Sequence, residues 1–358
     1  MNRKTLVAMS GGVDSSVAAY LLQQAGFTCV GVTMKLFSNS VLGADSDKSC
    51  CSLSDVKDAQ NTAYRLDMPH YTLNFAEEFK NEVIRAFIET YQTGGTPNPC
   101  IDCNRKLKFE GLLRRADQLD FAYIATGHYA RIEQSGGRFL LKKARDPKKD
   151  QSYVLYTLTQ RQLSRLLLPL GNMTKPEVRE IAEAQGFVNA KKRDSQDICF
   201  APDGDYAGFI EQYTGKTAEP GPIIDETGKI LGRHRGLIRY TIGQRRGLGL
   251  SVPEPRYVTR KSVAENTLTV GGPDELYAKG LIAGNLNLIA VSGLEKPLRA
   301  RVKTRYLQTE QWATAEQTGP DRLRIDFDEP QRAITPGQSA VLYDGETVIG
   351  GGVIAEPV

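Results

Sequence analysis

Leu6-Val7-Ala8-Met9-Ser10-Gly11-Gly12-Val13-Asp14-Ser15-Ser16 is the stretch that decides how this chain folds. Its apolar start predicts a buried strand, and the adjacent glycines predict a tight turn. From Val13 to Gln24, apolar spacing through Val17, Tyr20 and Leu21 predicts a helix that stops at Gly26. Phe27 to Leu36, rich in Val and Thr, predicts a second strand. A strand–helix–strand unit implies a parallel sheet covered by helices, because parallel neighbours need a crossover. The glycines let backbone N–H groups close on an anion, and the helix dipole favours the same anion. Hydroxyls of Ser10, Ser15 and Ser16 can donate to phosphate oxygens, and Asp14 can hold Mg2+ through water. Two glycines alone could serve only the sterics of the turn; the full SGGVDSS run in this setting points to phosphate.

Working outward, Ser54–Leu66 and Phe75–Tyr91 read as helices, and His70–Leu73 and Tyr123–Thr126 as strands. Residues 38–52, with Cys50 and Cys51, and residues 92–104, dense in Gly, Pro and Asn, read as loops. Gln160–Leu168 and Lys175–Gln185 continue the helical content, the second entered by Thr174 as N-cap with Pro176 in its first turn. Beyond Ala201 the chain turns Gly- and Pro-rich, and from Gly280 it alternates short strands with turns, the pattern of a small β-barrel. The expected architecture is α/β: a parallel-sheet, Rossmann-like domain over 1–200, a small central domain over 201–279, and a C-terminal β-barrel over 280–358.

The 358 residues suit two or three domains, and 40% hydrophobic with 25% charged residues excludes a disordered or fibrous chain. No apolar stretch approaches the ~18 residues that span a bilayer. The apolar run Leu6–Met9 is short for a signal peptide, so a cytoplasmic protein is expected. Six cysteines are too few for a disulfide scaffold, and three histidines argue against a histidine-rich metal site. Cys100-Ile101-Asp102-Cys103 is compatible with half a zinc site, a redox pair or chance. Cys199 between Ile198 and Phe200 reads alone as a core thiol, and Cys29 as a strand core residue.

SGGVDSS resembles the PP-loop of the N-type ATP pyrophosphatases, which cleave ATP between the α and β phosphates. Neither a Walker GK[ST] nor a GxGxxG follows the strand. Further along, Thr96-Pro97-Asn98-Pro99 with Cys103-Asn104 and Lys108-Phe109 resembles the tRNA-specific 2-thiouridylases, the MnmA family. So do Thr126-Gly127-His128-Tyr129, Lys149-Asp150-Gln151-Ser152-Tyr153, and Asp194-Ser195 with Ile198-Cys199-Phe200. Gly232-Arg233-His234 with Gly236, and Tyr240-Thr241-Ile242-Gly243-Gln244-Arg245, extend the likeness, which runs on to Pro336-Gly337-Gln338.

That resemblance implies an ATP-dependent tRNA-uridine 2-sulfurtransferase. ATP would adenylate the 2-oxygen of the wobble uridine in the anticodon, and sulfur would then replace it. Cys199 would carry the persulfide, and Cys103 would be the nucleophile that frees the sulfur or closes a redox-active Cys103–Cys199 disulfide. Ala8, Met9, Ser10, Gly11, Gly12, Val13, Asp14 and Ser15 would hold ATP with Met34 and Gly127. Asn98, Pro99 and Cys100 would line the target base. His128, Lys149, Asp150, Gln151, Arg305, Tyr306 and Gln338 match tRNA-contact positions. The implied partners are the tRNA anticodon arm and a cysteine desulfurase or sulfur-relay protein. Many family members carry Asp where this chain has Cys100; with Cys103 and Cys199 it would supply three thiolates for a 4Fe-4S cluster, the alternative sulfur carrier.

Charge placement agrees with an RNA substrate. Between Glu226 and Glu254 there is no acidic residue, while Lys229, Arg233, Arg235, Arg239, Arg245 and Arg246 all fall there, with His234 and Tyr240 interleaved. Arg299, Arg301, Lys303 and Arg305 alternate along one strand face, and Lys142, Lys143, Arg145, Lys148 and Lys149 form a third cluster. Two other readings stand beside thiolation: another PP-loop adenylating ligase, which needs neither thiol, and an RNA-binding protein without enzymatic activity, which has no use for SGGVDSS.

Overall fold

The computed structural model of the chain describes residues 3–36, 53–192, 194, 198–201 and 204–358. The loop expected at 38–52 lies outside them. The chain divides into two compact units. The first comprises residues up to Ile84, Pro99–Gly204 and the short run Glu346–Val348; the second comprises Arg85–Asn98, Asp205–Gly345 and Ile349–Val358.

In the first unit, β1 (Lys4–Ala8), β2 (Thr28–Lys35), β3 (His70–Asn74) and β4 (Tyr123–Ala125) are parallel strands. β5 (Arg131–Ser135) and β6 (Arg138–Lys142) form an antiparallel hairpin turned at Gly136 and Gly137, both at positive φ. β7 (Leu166–Leu167) joins the parallel sheet, whose order is β3-β2-β1-β4-β7. The chain therefore leaves β1 to one side first and returns to its other side later. That reversal opens a crevice at the carboxyl end of β1, where ligands of open α/β sheets bind. The helix Val13–Gln24 starts there. It buries Val13, Val17 and Ala18 among Tyr129, Leu170 and Val178, and Ala19 and Leu22 among Val7, Ala59 and Ala63.

Two expectations are corrected here. Gln160–Leu163 is a single helical turn, after which Leu166 and Leu167 pair with Ile124 and Ala125 as the fifth strand. Pairing with an open sheet edge outweighs the helical spacing of that leucine run. The loop expected over 92–104 ends at Asn98: from Pro99 the chain is helical through Gln118, with a wider π-type stretch over Cys103–Gly111. Proline suits a first helical position because the N–H it lacks would have no partner there.

In the second unit, the helix Tyr206–Thr214 is capped by Asp205 and ends at Gly215, at φ +67. A four-stranded sheet follows, formed by β8 (Gly221–Ile224), β9 (Ile230–His234), β10 (Tyr257–Ser262) and β11 (Thr267–Gly271). Ile223, Leu237, Tyr240, Val258 and Val270 make its core. The last six strands are β12 (Tyr277–Leu288), β13 (Leu298–Lys303), β14 (Gln311–Gly319), β15 (Arg322–Arg332), β16 (Ser339–Asp344) and β17 (Thr347–Pro357). They run in the order β12-β15-β14-β13-β16-β17, and β17 pairs back onto β12 to close a barrel. Alternation is clean on β13: Ala300 and Val302 enter the core while Arg299 and Arg301 are exposed. No helix among the described residues is long and apolar enough to cross a membrane.

Candidate functional site

The glycine loop turns out of β1 in a conformation that only glycine provides. Gly11 has φ +74, and a Cβ there would stand 2.2 Å from the Asp55 carbonyl oxygen. Gly12 is the N-cap and contributes no side-chain hydrogen bond, so a ligand can meet the first turn's N–H groups. Ser15 Oγ donates to the Gly12 carbonyl at 3.0 Å and accepts from the Ser10 N–H at 3.2 Å. Ser16, expected to face phosphate, is fully buried instead. Its hydroxyl lies 3.2 Å from Thr62 Oγ1 and accepts from Asn189 Nδ2 at 2.9 Å. Gly127, just past β4, presses on the same loop: a Cβ there would be 2.7 Å from the Asp14 carbonyl carbon and from the Ser15 nitrogen. Met34 sits near the carboxyl end of β2 with 8% exposure. The positions expected to hold ATP thus lie at the carboxyl ends of three adjacent strands.

Asp14 is already engaged. Lys175 Nζ donates to both of its carboxylate oxygens at 2.7 Å, and the Tyr129 hydroxyl donates to Oδ1 at 2.7 Å. Burial, then the charge and hydrogen bond of Asp14, push the Tyr129 phenol far above its usual range and keep it a donor. The same Lys175 ammonium lies 2.7 Å from Asp194, which Lys149 also meets at 2.7 Å. Burial works to raise the Asp194 carboxyl, yet the Lys149 and Lys175 hydrogen bonds hold it below its usual value. Both oxygens of Asp14 thus already accept hydrogen bonds from neighbouring side chains. No group of three or more His, Cys, Asp or Glu among the described residues is placed to hold a metal ion.

Cys100 and Cys103 lie three residues apart, about one turn of the helix that begins at Pro99. Cys100 is exposed, Cys103 is buried and Cys199 is half-buried; all three are thiols. Phe200 is buried against Phe79, ring centroids 5.8 Å apart, and anchors the chain next to Cys199. Burial pushes the Asp102 carboxyl up to about 6, against the opposing charges of Arg105 and Lys106. Asn104 Nδ2 donates to the Val154 carbonyl at 3.3 Å, and its buried Oδ1 has no partner. The three thiols do not form a metal-holding group, so the 4Fe-4S alternative lacks a donor set.

The residues matched to tRNA contacts sit in two settings. In the first unit, Asp150 folds its own loop by accepting from Ala144 N and Ser152 N. Gln151 Oε1 accepts from Tyr129 N at 2.9 Å, and Lys149 is held by Asp194. His128 is buried, its Nδ1 2.7 Å from Thr126 Oγ1; burial and then the Lys108 charge hold it well below the usual histidine range, hence neutral. In the second unit, Arg305 donates to the Ala333 carbonyl at 2.5 Å and Tyr306 is half-buried. Gln338 Nε2 donates to the Thr96 and Pro97 carbonyls at 2.8 and 3.3 Å, holding the segment that leads to Asn98.

The basic clusters are likewise sorted. His234 and Tyr240 are core residues, so neither is offered for stacking. Arg299 pairs with Asp328, Lys303 lies 3.9 Å from Glu310, Arg145 pairs with Glu177 and Arg239 with Glu211. Arg233, Arg235, Arg245 and Arg246 are exposed. They are open to a phosphate backbone, as is Lys229. Sequence reasoning missed Lys175, Asn189 and Lys192, which bind the glycine loop from positions far along the chain, the role of Tyr129 as a donor to Asp14, and Lys261, whose ammonium donates to the Gly95 and Tyr240 carbonyls.

Three family models cover nearly the whole chain: a tRNA methyl transferase HUP domain over residues 3–203, a tRNA methyl transferase PRC-barrel domain over 207–272, and an aminomethyltransferase beta-barrel domain over 278–354. The tRNA-specific 2-thiouridylase MnmA of Clostridioides difficile strain 630 is 49% identical over 99% of this chain and 98% of its own length. MnmA 1 of Caldanaerobacter subterraneus subsp. tengcongensis is 49% identical over 100% and 99%. The MnmA of Symbiobacterium thermophilum is 48% identical over 99% and 93%. Full-length identity at this level, on a chain whose glycine loop and cysteines share one folded unit, places it plainly: this chain belongs to the MnmA family of tRNA-specific 2-thiouridylases.

Proposed function

We propose that this chain is an ATP-dependent tRNA-uridine 2-sulfurtransferase acting on the wobble uridine of the anticodon. The observation that carries the reading is the SGGVDSS loop at the point where strand order reverses, in the same unit as Cys103 and Cys199. The uridine 2-oxygen attacks the α-phosphorus of ATP, which binds at residues 8–15 with Met34 and Gly127, and pyrophosphate leaves. The adenylated C2 then accepts sulfur and AMP leaves. Sulfur arrives as a Cys199 persulfide from a cysteine desulfurase or sulfur-relay protein. Attack of the Cys103 thiolate on the Cys199 sulfur would expel hydrosulfide and form the Cys103–Cys199 disulfide, which a thiol reductant reopens. Asn98, Pro99 and Cys100 line the base, and the exposed Arg233, Arg235, Arg245 and Arg246 meet RNA phosphates. Magnesium would arrive on the phosphates, as that ion commonly does. This chemistry belongs in the cytoplasm, where thiols, ATP and tRNA meet. Methyl transfer, the activity in the names of two matched domains, needs neither a nucleotide loop of this type nor paired thiols.

The deciding experiment incubates the protein with unmodified tRNA, ATP and a persulfide donor, and follows AMP, pyrophosphate and 2-thiouridine. Thiolation should vanish in C103S and C199S. Formation of AMP without sulfur incorporation, unaffected by either substitution, would favour a different PP-loop ligase.

A further inference from the structure

Asn189 and Lys192, a few residues before Cys199, are bound to the glycine loop. Asn189 Nδ2 donates to the Gly11 carbonyl at 2.9 Å as well as to Ser16 Oγ. Lys192 Nζ reaches the Gly11 carbonyl at 3.5 Å while bound to Asp55 and Asp58 at 2.6 Å each. Arg179 holds the Ala190 and Lys192 carbonyls at 2.9 and 3.1 Å. Asp194 completes the attachment through Lys175, and Cys199 follows five positions later.

Lys175 joins the two sides through their carboxylates. Its three protons face three carboxylate oxygens at 2.7 Å: two of Asp14, one of Asp194. The residue is only 7% exposed, so its ammonium cannot turn to water. Any new anion beside Asp14 must therefore redistribute these bonds. Asp194 is well placed to tolerate the change, because Lys149 stays at 2.7 Å and Arg179 at 3.5 Å. Asp14 would keep the Tyr129 hydroxyl.

We propose that Lys175 is a positioning residue that ties occupancy of the nucleotide loop to the placement of Cys199, exchanging its hold on Asp194 for the polyphosphate of the bound nucleotide. The inference rests on reading SGGVDSS as the nucleotide loop and Cys199 as the sulfur carrier. It orders the reaction: the segment bearing the sulfur responds once ATP is in place, before sulfur is committed.

The test measures, on the full chain, the rate at which iodoacetamide alkylates Cys199, followed by peptide mass spectrometry, with and without a saturating non-hydrolysable ATP analogue. Calorimetry measures binding of the analogue separately. In the wild type the analogue should change the Cys199 rate about fivefold or more. In K175M and in D194N, the analogue at saturation should leave that rate unchanged. D194N keeps the Lys175–Asp14 pair and decides the matter if K175M does not fold. Binding of the analogue with no change in the wild-type rate overturns the coupling alone, as does a wild-type response in the folded variants. Absence of binding overturns the nucleotide reading and the coupling with it.

Discussion

Gly127 lies directly against the peptide that joins Asp14 to Ser15. A Cβ on it would meet the Asp14 carbonyl carbon and the Ser15 nitrogen at 2.7 Å each. Both neighbours are backbone atoms, so neither can rotate away, and one added methyl group must displace the loop. Overpacking of this kind costs about 1–3 kcal/mol. In G127A the strain falls on the loop that would meet ATP, so KM for ATP should rise by about tenfold or more, against a smaller loss in thermal stability. Steady-state kinetics with a parallel melting curve checks this; an unchanged KM would show that the loop does not carry the nucleotide.

Arg245 and Arg246 are exposed within the acid-free run between Glu226 and Glu254. Replacing both with Ala should weaken tRNA binding at all sequences alike and reduce the slope of log affinity against log salt by about one for each phosphate no longer neutralised. Replacing Arg299, which is already paired with Asp328, should change that slope far less. Filter binding at several salt concentrations separates the two; equal slopes would remove Arg245 and Arg246 from the interface.

The βαβ unit, the glycine turn and the alternation along β13 are legible in the sequence because each is written in neighbouring residues at a fixed period. The Cys100–Cys103 pair reads as part of a loop because Gly94, Gly95, Pro97 and Pro99 all act as breakers, although proline also opens helices. The hairpin β5–β6 escapes the same reading even though Gly136 and Gly137 mark its turn. Lys175 cannot be read at all: its partner Asp14 is 161 positions away, and nothing local distinguishes it from any lysine in a first helical turn. His128 and Gln338 match a family pattern, but only the fold shows one buried beside Thr126 and the other holding Thr96 and Pro97.

Lys261 offers a pH-dependent test of the segment before Asn98. Burial lowers its ammonium from 10.5 to about 8, while it donates to the Gly95 and Tyr240 carbonyls at 3.3 and 3.0 Å. Below pH 8 the lysine is protonated in both folded and unfolded chains, and the burial penalty is fully present. Between about pH 8 and the ordinary value of 10.5 the folded chain gives up its proton first. Stability therefore rises with pH through that window, by up to about 3 kcal/mol. Denaturant unfolding should show the wild type gaining on K261M from pH 8 to pH 10. A constant difference would mean that the ammonium is not desolvated.

Asp102 has the opposite sign, and it sits between the two cysteines of the helix. Burial raises its carboxyl from 3.8 to about 6. Below pH 4 the group is protonated in both states and costs nothing extra. As pH climbs from about 4 to 6 the unfolded chain ionises first, so the folded chain binds more protons and stability falls. The loss is complete about one pH unit above that folded value of about 6 and reaches up to about 3 kcal/mol. D102N carries no such proton. Its stability relative to the wild type should therefore increase steadily from pH 4 to pH 6 and level off near pH 7, as read by urea unfolding at each pH. A flat difference across that window would place the carboxylate in water, and with it the first turn of the helix that presents Cys103.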